Sequence, residues 1–208
     1  KDFKRYPRKL QKDIALLKKH KVDYLYLPRA NQIYPNGYNK KIKISMFKKK
    51  LCGKFRPGHF EAVTDVIDRF IKIIEPKRIY FGEKDMQQLI IVEHFAKKNY
   101  IKTKVISCKT IREKNGIPYS SRNFLLTSKE KLIASKIYKL ILKEKKRLID
   151  NKVMIKFIKN KILVLGVNKI DYITSLNVNK IIKPYKKNNR YKIFIAYYLG
   201  STRLIDNI

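Results

Sequence analysis

The chain has no tryptophan and only two cysteines, Cys52 and Cys108. Two thiols so far apart exclude a disulfide framework and lie outside the C-x-x-C spacing of redox and zinc motifs. They read as reduced core thiols of a cytoplasmic protein. Glycine and proline are sparse, seven of each in 208 residues, and no glycine-rich linker, repeat or low-complexity tail interrupts the sequence. No apolar run approaches the roughly 18 residues that a membrane-spanning helix needs. The opening Lys1-Asp2-Phe3-Lys4-Arg5-Tyr6-Pro7 lacks the apolar centre of a signal peptide. No Met stands first, as in a fragment or a processed chain. Acidic residues are also few: 16 Asp plus Glu against 51 Lys plus Arg, a formal net charge of +35.

What is present is enough for a core. Hydrophobic residues make up 44% of the chain and aromatic residues 12%, which excludes a disordered basic tail. The length suits one large domain or two small ones. So basic a chain raises nucleic acid as a partner. Yet Lys is spread along the whole sequence rather than gathered in an arm, and Ile, Asn and Tyr are abundant too. That bias fits AT-rich coding, with Lys at solvent-facing positions. It predicts incidental, salt-sensitive contact with polyanions. There is no zinc-finger spacing and no RRM-like aromatic strand, so no specific nucleic-acid partner is expected.

Leu10, Ile14 and Leu17 predict an amphipathic helix over Lys9 to His20. Val22 to Leu27 reads as a short strand ended by Pro28. Residues 28 to 58 read as irregular, with a turn at Tyr34-Pro35-Asn36-Gly37 and a further strand at Lys41 to Ile44. Pro57-Gly58 opens a helix with the stripe Val63, Val66, Ile67, Phe70, Ile71 and Ile74, ended by Pro76. A strand over Arg78 to Phe81 stops at Gly82. Asp85 to Asn99 is helical again, with Leu89, Val92, Phe95 and Ala96 on one side, and Thr103 to Ser107 is the next strand. This alternation is the signature of parallel βαβ units. Ligands of such sheets bind beyond the carboxyl ends of the strands.

Near Thr110 the pattern changes. Asn115-Gly116 signals a hairpin turn, Thr127 with Glu130 a capping box before a long Lys-rich helix, and Met154 to Leu163 a second helix. β-rich stretches follow at Lys169 to Ser175 and Tyr191 to Leu199. The expected organisation is therefore an α/β, Rossmann-like domain over residues 1–110 and a smaller α+β domain over residues 111–208.

Three short segments carry chemistry. In Phe81-Gly82-Glu83-Lys84-Asp85-Met86-Gln87-Gln88, a glycine at a strand end permits close backbone approach. The helix start behind it favours an anion. Lys84 adds a cation, Asp85 an acceptor for ribose hydroxyls, and Gln88 lies one turn on. Tyr119-Ser120-Ser121-Arg122-Asn123 offers small hydroxyls and a guanidinium for an anion. Arg56-Pro57-Gly58-His59-Phe60 places a histidine by a helix start, where it either donates to a phosphate or satisfies a local carbonyl.

In this order and spacing the three segments resemble pantothenate synthetase, the pantoate–β-alanine ligase family. Tyr6-Pro7-Arg8, Tyr34-Pro35 and the ending Tyr198-Leu199-Gly200-Ser201-Thr202-Arg203-Leu204-Ile205-Asp206-Asn207 fit the same pattern, so the resemblance spans essentially the whole chain. It implies a nucleotide-binding α/β domain like that of class I aminoacyl-tRNA synthetases, with a smaller C-terminal lid. The implied reaction is ATP-dependent: the D-pantoate carboxylate attacks the α-phosphate, pyrophosphate leaves, and the β-alanine amine attacks the acyl-adenylate. ATP and Mg²⁺ are the implied cofactors and a homodimer the implied assembly, with residues 41 to 44 at the contact.

The resemblance assigns Gly82, Glu83, Lys84 and Asp85 to the ATP site, with Ile111 beside adenine through its backbone. It assigns Tyr119, Ser120, Ser121 and Arg122 to the phosphate loop, where Tyr119 replaces the family's usual Met. Lys84, Ser120, Ser121 and Arg122 would be catalytic, and Gln88, Arg56 and His59 would face pantoate. Metal ligands stay unassigned, although Asp13 lies in the helix that carries the family's acidic residue. The family's first strand and its Met-Gly-Ala-Leu-His-x-Gly-His motif are not in this sequence. The resemblance therefore implies that the 208 residues alone are inactive or nearly so, with core surface exposed where that strand would lie. A basic nucleic-acid-binding module and a non-catalytic, folded or dimerising remnant of the ligase are the alternatives.

Overall fold

Leu89, Val92, Phe95 and Ala96 repeat at helical spacing, and all four are buried in one helix, Met86–Asn99. It joins two strands, Arg78–Gly82 and Lys104–Cys108, which pair in parallel from Arg78↔Lys104 to Gly82↔Cys108. The βαβ unit expected from the sequence is thus present. In the computed structural model, residues 10–39, 42–182 and 187–208 are described. In chain order the helices are α1 (Leu10–Lys19), α2 (Ala30–Ile33), α3 (Cys52–Phe55), α4 (His59–Ile74), α5 (Met86–Asn99), α6 (Ser128–Leu148) and α7 (Lys152–Val164). The strands are β1 (Arg78–Gly82), β2 (Lys104–Cys108), β3 (Lys169–Asn177), β4 (Tyr191–Leu199) and β5 (Thr202–Asn207).

Two expectations fail before α4. Residues 22–27 form no strand, and neither do residues 42–44; Lys41 lies outside the described residues. A short β-rich run does not become a strand without a partner to complete its hydrogen bonds. The loop is held instead by polar anchors. Asp65 accepts from the Asn39 amide at 3.0 Å and from Arg69 Nε at 2.9 Å, while Arg69 also donates to the carbonyls of Ile33 and Gly37.

Helix α4 forms where expected, but Ile71 is the one residue of its apolar stripe that is fully buried. Thr64, Asp65 and Asp68 are buried, and Asp68 pairs with Lys72 and the Tyr100 hydroxyl. The stripe residues Ile67, Phe70, Ile71 and Ile74 line a groove with Tyr26, Ile79, Tyr80 and Phe81. Among the described residues no strand pairs with the other edge of β1.

The C-terminal part is an antiparallel sheet ordered β3-β4-β5. β5 is a strand the sequence reading did not separate from β4; Gly200, at φ +53, makes the tight turn between Leu199 and Thr202. Alternation along β4 sends side chains to opposite faces. Ile193, Ile195, Tyr197 and Leu199 pack with α6 and α7, whose Ile137, Ile141, Ile158 and Ile162 are buried. Phe194 points the other way, into a second cluster with Phe47, Phe60, Met86 and Leu89. The capping box appears as expected: Thr127 Oγ1 accepts from the Glu130 amide, and Glu130 accepts from the Thr127 amide at 2.8 Å. One sheet therefore has the helical hairpin on one face and the βαβ part on the other, which sets the carboxyl end of β1 against β5.

Candidate active site

Beyond the carboxyl end of β1 the chain makes a 3₁₀ turn, Glu83–Asp85, and enters α5. The turn is pinned from across the fold. Asn207 Nδ2 donates to the carbonyls of Glu83 and Lys84, both at 2.8 Å. The Glu83 carboxylate faces Arg190 at 3.1 Å and Lys192 at 3.9 Å. Burial lowers the Lys192 pKa, and Glu83 works against that shift. Lys84 is 18% exposed at its side chain and lies 3.6 Å from the Asp85 carboxylate.

Lys84 borders two neighbouring cavities. The first encloses about 430 Å³, its open mouth included, and is lined by Arg56, His59, Lys84, Asp85 and Gln88 over apolar Leu51, Phe60, Met86 and Phe194. The second, about 330 Å³ on the same basis, is lined by Lys84, Ser120, Arg122, Asn123 and Arg203. Ile205 and Asp206 are shared walls. The chain thus brings together two segments that are separate in sequence, and Lys84 and Arg122 share a cavity.

Helix α5 also places the Arg56–His59 side of the first cavity. Gln87 Nε2 donates to the carbonyls of Phe47 at 2.9 Å and Lys50 at 2.7 Å, fixing the 3₁₀ turn Met46–Lys49 ahead of α3. Arg56 Nη1 lies 3.0 Å from His59 Nε2. A guanidinium only donates, so Nε2 accepts and the ring proton sits on Nδ1. Burial first, then Arg56, pushes the His59 pKa down to about 4; Asp85 opposes this, and Arg203 and Arg122 add to it. His59 is therefore neutral at neutral pH, within reach of three guanidiniums. In this cleft they leave a positive field that suits an anion.

On the second cavity, Ser120 caps the 3₁₀ helix Ser121–Leu125 by accepting from the Arg122 amide at 3.3 Å. Asn123 donates to Glu113 at 2.6 Å and to the Pro118 carbonyl at 3.1 Å, holding the segment against the hairpin. That hairpin closes with a single bridge, Arg112↔Pro118, around Gly116 at φ +91.

Of the expected residues, Arg56, His59, Lys84, Asp85 and Gln88 meet in the first cavity, and Lys84, Ser120 and Arg122 in the second. Gly82, Glu83, Ile111, Tyr119 and Ser121 line neither. Glu83 is turned to Arg190 and Lys192. Ile111 and Tyr119 are 68% and 62% exposed, joined by a hydrogen bond from the Tyr119 amide to the Ile111 carbonyl. A side chain at Gly82 would meet nothing within 4 Å, so the space beside it is open.

The sequence reading missed the walls contributed by β5. Asp206 accepts from Arg112 in a bidentate pair at 2.7 and 2.9 Å, and Arg203 donates to Asp171 at 2.8 Å. Their advance signal was the family-like ending Tyr198–Asn207, which carried no site assignment. Among the described residues no group of three or more His, Cys, Asp or Glu could hold a metal ion.

An α/β fold with a cationic double cavity at a strand's carboxyl end has the arrangement of a protein that binds an anionic ligand there. A sequence profile described as Pantoate-beta-alanine ligase matches residues 1–208. The pantothenate synthetase of Buchnera aphidicola subsp. Acyrthosiphon pisum is 40% identical over 212 residues, covering 99% of this chain and 74% of that protein. A crystal structure of pantoate-beta-alanine ligase from Francisella tularensis, complexed with beta-gamma ATP and beta-alanine, superposes with a TM-score of 0.84 at 38% identity, covering 100% of this chain and 72% of that one. Pantothenate synthetase from Thermus thermophilus gives a TM-score of 0.86 at 28% identity, with 100% and 77% covered. The chain belongs to the pantoate–β-alanine ligase family.

Proposed function

We propose that the protein condenses D-pantoate with β-alanine at the expense of ATP, through a pantoyl-adenylate, with release of AMP and pyrophosphate. The observation that carries this reading is Lys84 on the common border of two cavities, one holding Arg56, His59 and Gln88 and the other Ser120 and Arg122. Two substrates that must react with each other need adjoining sites with a cation between them. A carboxylate approaching a polyphosphate is repelled, and fixed cations offset that repulsion and stabilise charge gathering at phosphorus.

In this reading Lys84, Arg122 and the two serines bind the phosphates, Asp85 the ribose, and Tyr119 and Ile111 flank the nucleotide from the rim. Gly82 leaves room for it, and Glu83 keeps the turn in shape through Arg190. Gln88, Arg56 and neutral His59 hold pantoate. Holding carboxylate and phosphate in register supplies much of the rate, and the apolar floor limits water at the mixed anhydride. Mg²⁺ would neutralise phosphate charge. The described residues form no acidic cluster for it; of the carboxylates lining the cavities, Asp206 is committed to Arg112, which leaves Asp85 to help a phosphate-borne ion. We further propose residues 1–110 and 111–208 as the two functional units, a homodimer, and a cytoplasmic location.

The test is direct. The protein, expressed with any in-frame codons preceding Lys1, should form pantothenate and AMP from D-pantoate, β-alanine and ATP, and its melting temperature should rise with ATP and pantoate. Salt-sensitive nucleic-acid binding without any ligand response would favour the basic-module reading instead.

A further inference from the structure

The last two residues of β5 are tied to both halves of the proposed ATP site. Successive residues of a strand point to opposite sides, and Asp206 and Asn207 use both. Asn207 is buried, and its amide donates to the Glu83 and Lys84 carbonyls, each at 2.8 Å. Asp206 is buried as well and holds Arg112 through two contacts of 2.7 and 2.9 Å. Arg112 in turn donates to the Gly116 carbonyl at 3.0 Å and lies over the Tyr138 ring at 4.4 Å. It therefore fixes the hairpin that leads directly into Ser120–Arg122.

The dipeptide is not a fraying end. Ile208 and Ile193 exchange backbone hydrogen bonds of 3.0 Å just past it, and the backbone N–H of Asn207 donates to Asp206 Oδ1 at 2.7 Å. The orientation of the Asn207 side chain follows from chemistry: two carbonyls accept only from an N–H. Its Oδ1 is left buried without a hydrogen-bond partner, on the wall of the cavity that holds Lys84 and Gln88.

We propose that Asp206 and Asn207 form a brace that sets the Glu83–Asp85 turn and the Ser120–Arg122 segment at one separation, with Asn207 as a positioning residue for ATP. This rests on the function proposed above. Asn207 touches the backbone that carries Lys84 and the start of α5 rather than any reacting atom. Losing its two donor contacts lets the turn move relative to Arg122, and a misplacement of about 1 Å costs on the order of 100-fold in a reaction that depends on alignment.

The test measures ATP affinity by calorimetry and, with substrates, kcat and KM for each, in Asn207→Gln, Asn207→Asp and Asn207→Ala, alongside melting temperature. Asn207→Gln keeps the amide but displaces it by one methylene, so it is the gentlest. A brace predicts that ATP affinity, or kcat/KM for ATP, falls by about 10- to 100-fold, with KM for β-alanine changed far less and the ATP loss not following melting temperature. Parallel loss of every parameter in proportion to unfolded protein, or unchanged ATP affinity in Asn207→Gln and Asn207→Asp, overturns the proposal. Should Asn207→Ala and Asn207→Asp fail to fold, Asn207→Gln decides it alone. Absence of any ATP response in the unaltered protein would sink the function reading; a normal response there with unaffected variants sinks only the brace.

Discussion

Arg56 donates its Nη1 hydrogen to His59 Nε2 across 3.0 Å, so a cation is held against a neutral imidazole at the mouth of the first cavity. Protonating the ring would place two positive charges together, with Arg203 and Arg122 also acting on it. The folded pKa of about 4 lies below the ordinary value of 6.5. Between these values the unfolded chain binds more protons than the folded one, so stability rises with pH. The contribution is fully present above about pH 6.5 and is lost as pH falls through about 4. Water at the half-exposed ring reduces it to about 1–2 kcal/mol. His59→Gln should flatten the difference in urea midpoint between pH 7 and pH 4.5 relative to the unaltered protein. Equal slopes in the two proteins would show that His59 does not titrate this way.

Lys84 is the one expected site residue that lines both cavities. Lys84→Met keeps the length of the stem and removes the charge, so its effect is read as lost electrostatics rather than lost packing. A charge-assisted contact to phosphate contributes about 1.5–3 kcal/mol, hence a drop of about 10- to 100-fold in ATP affinity. The rise in melting temperature with ATP should shrink accordingly. Arg122→Met should do the same through the second cavity, and the double variant should lose less than the sum if both act on one phosphate chain. An ATP response untouched by either substitution would remove the nucleotide from this cleft.

How much of this was legible depended on distance along the chain. The α5 stripe, the β1–β2 pair and the Thr127–Glu130 box are local patterns, and each appears where the spacing put it. The stretch at residues 22–27 had strand composition but no strand partner among the described residues, and composition alone does not supply one. Helix α4 misled because Thr64, Asp65 and Asp68 are buried beside Phe60 and Ile71, with Thr64 satisfied by the Phe60 carbonyl, Asp65 by the preceding loop and Asp68 by Tyr100. The candidate site was legible as three segments but not as a shape. What joins them runs through Asp206 and Asn207, whose partners lie 94 and 123–124 residues away, beyond any periodicity.

Gly53 has no positive φ to explain it, yet only hydrogen fits there. A Cβ would stand 1.6 Å from the Lys48 carbonyl oxygen and 3.3 Å from the Phe60 ring. The obstacle is backbone, in the turn whose Phe47 carbonyl is held by Gln87, so relief requires moving that turn off α5. Gly53→Ala should therefore cost about 3 kcal/mol, the upper end for overpacking, read as a lower urea midpoint. It should also weaken pantoate binding, because α3 leads into Arg56 and His59. A variant within about 0.5 kcal/mol of the unaltered protein, the usual range for surface changes, would mean that the Met46–Lys49 turn is far looser than its hydrogen bonds suggest.

The charge of +35 makes a prediction of its own. It is dispersed, but α6 concentrates Lys129, Lys131, Lys136, Lys139, Lys143, Lys145, Lys146 and Arg147 against Glu130 and Glu144. Glu130 is committed to the cap, and Glu144 pairs with Arg147. Such a face should bind nucleic acid by counterion release alone. A contact with about six phosphates then weakens by roughly 10³-fold between 50 and 200 mM salt, whatever the sequence. Lys84→Met should leave this binding unchanged while weakening the ATP response, because the cleft and α6 present separate charges. Binding that survives 200 mM salt and selects among sequences would require base contacts that dispersed lysines do not provide, and would make nucleic acid a functional partner of this fold.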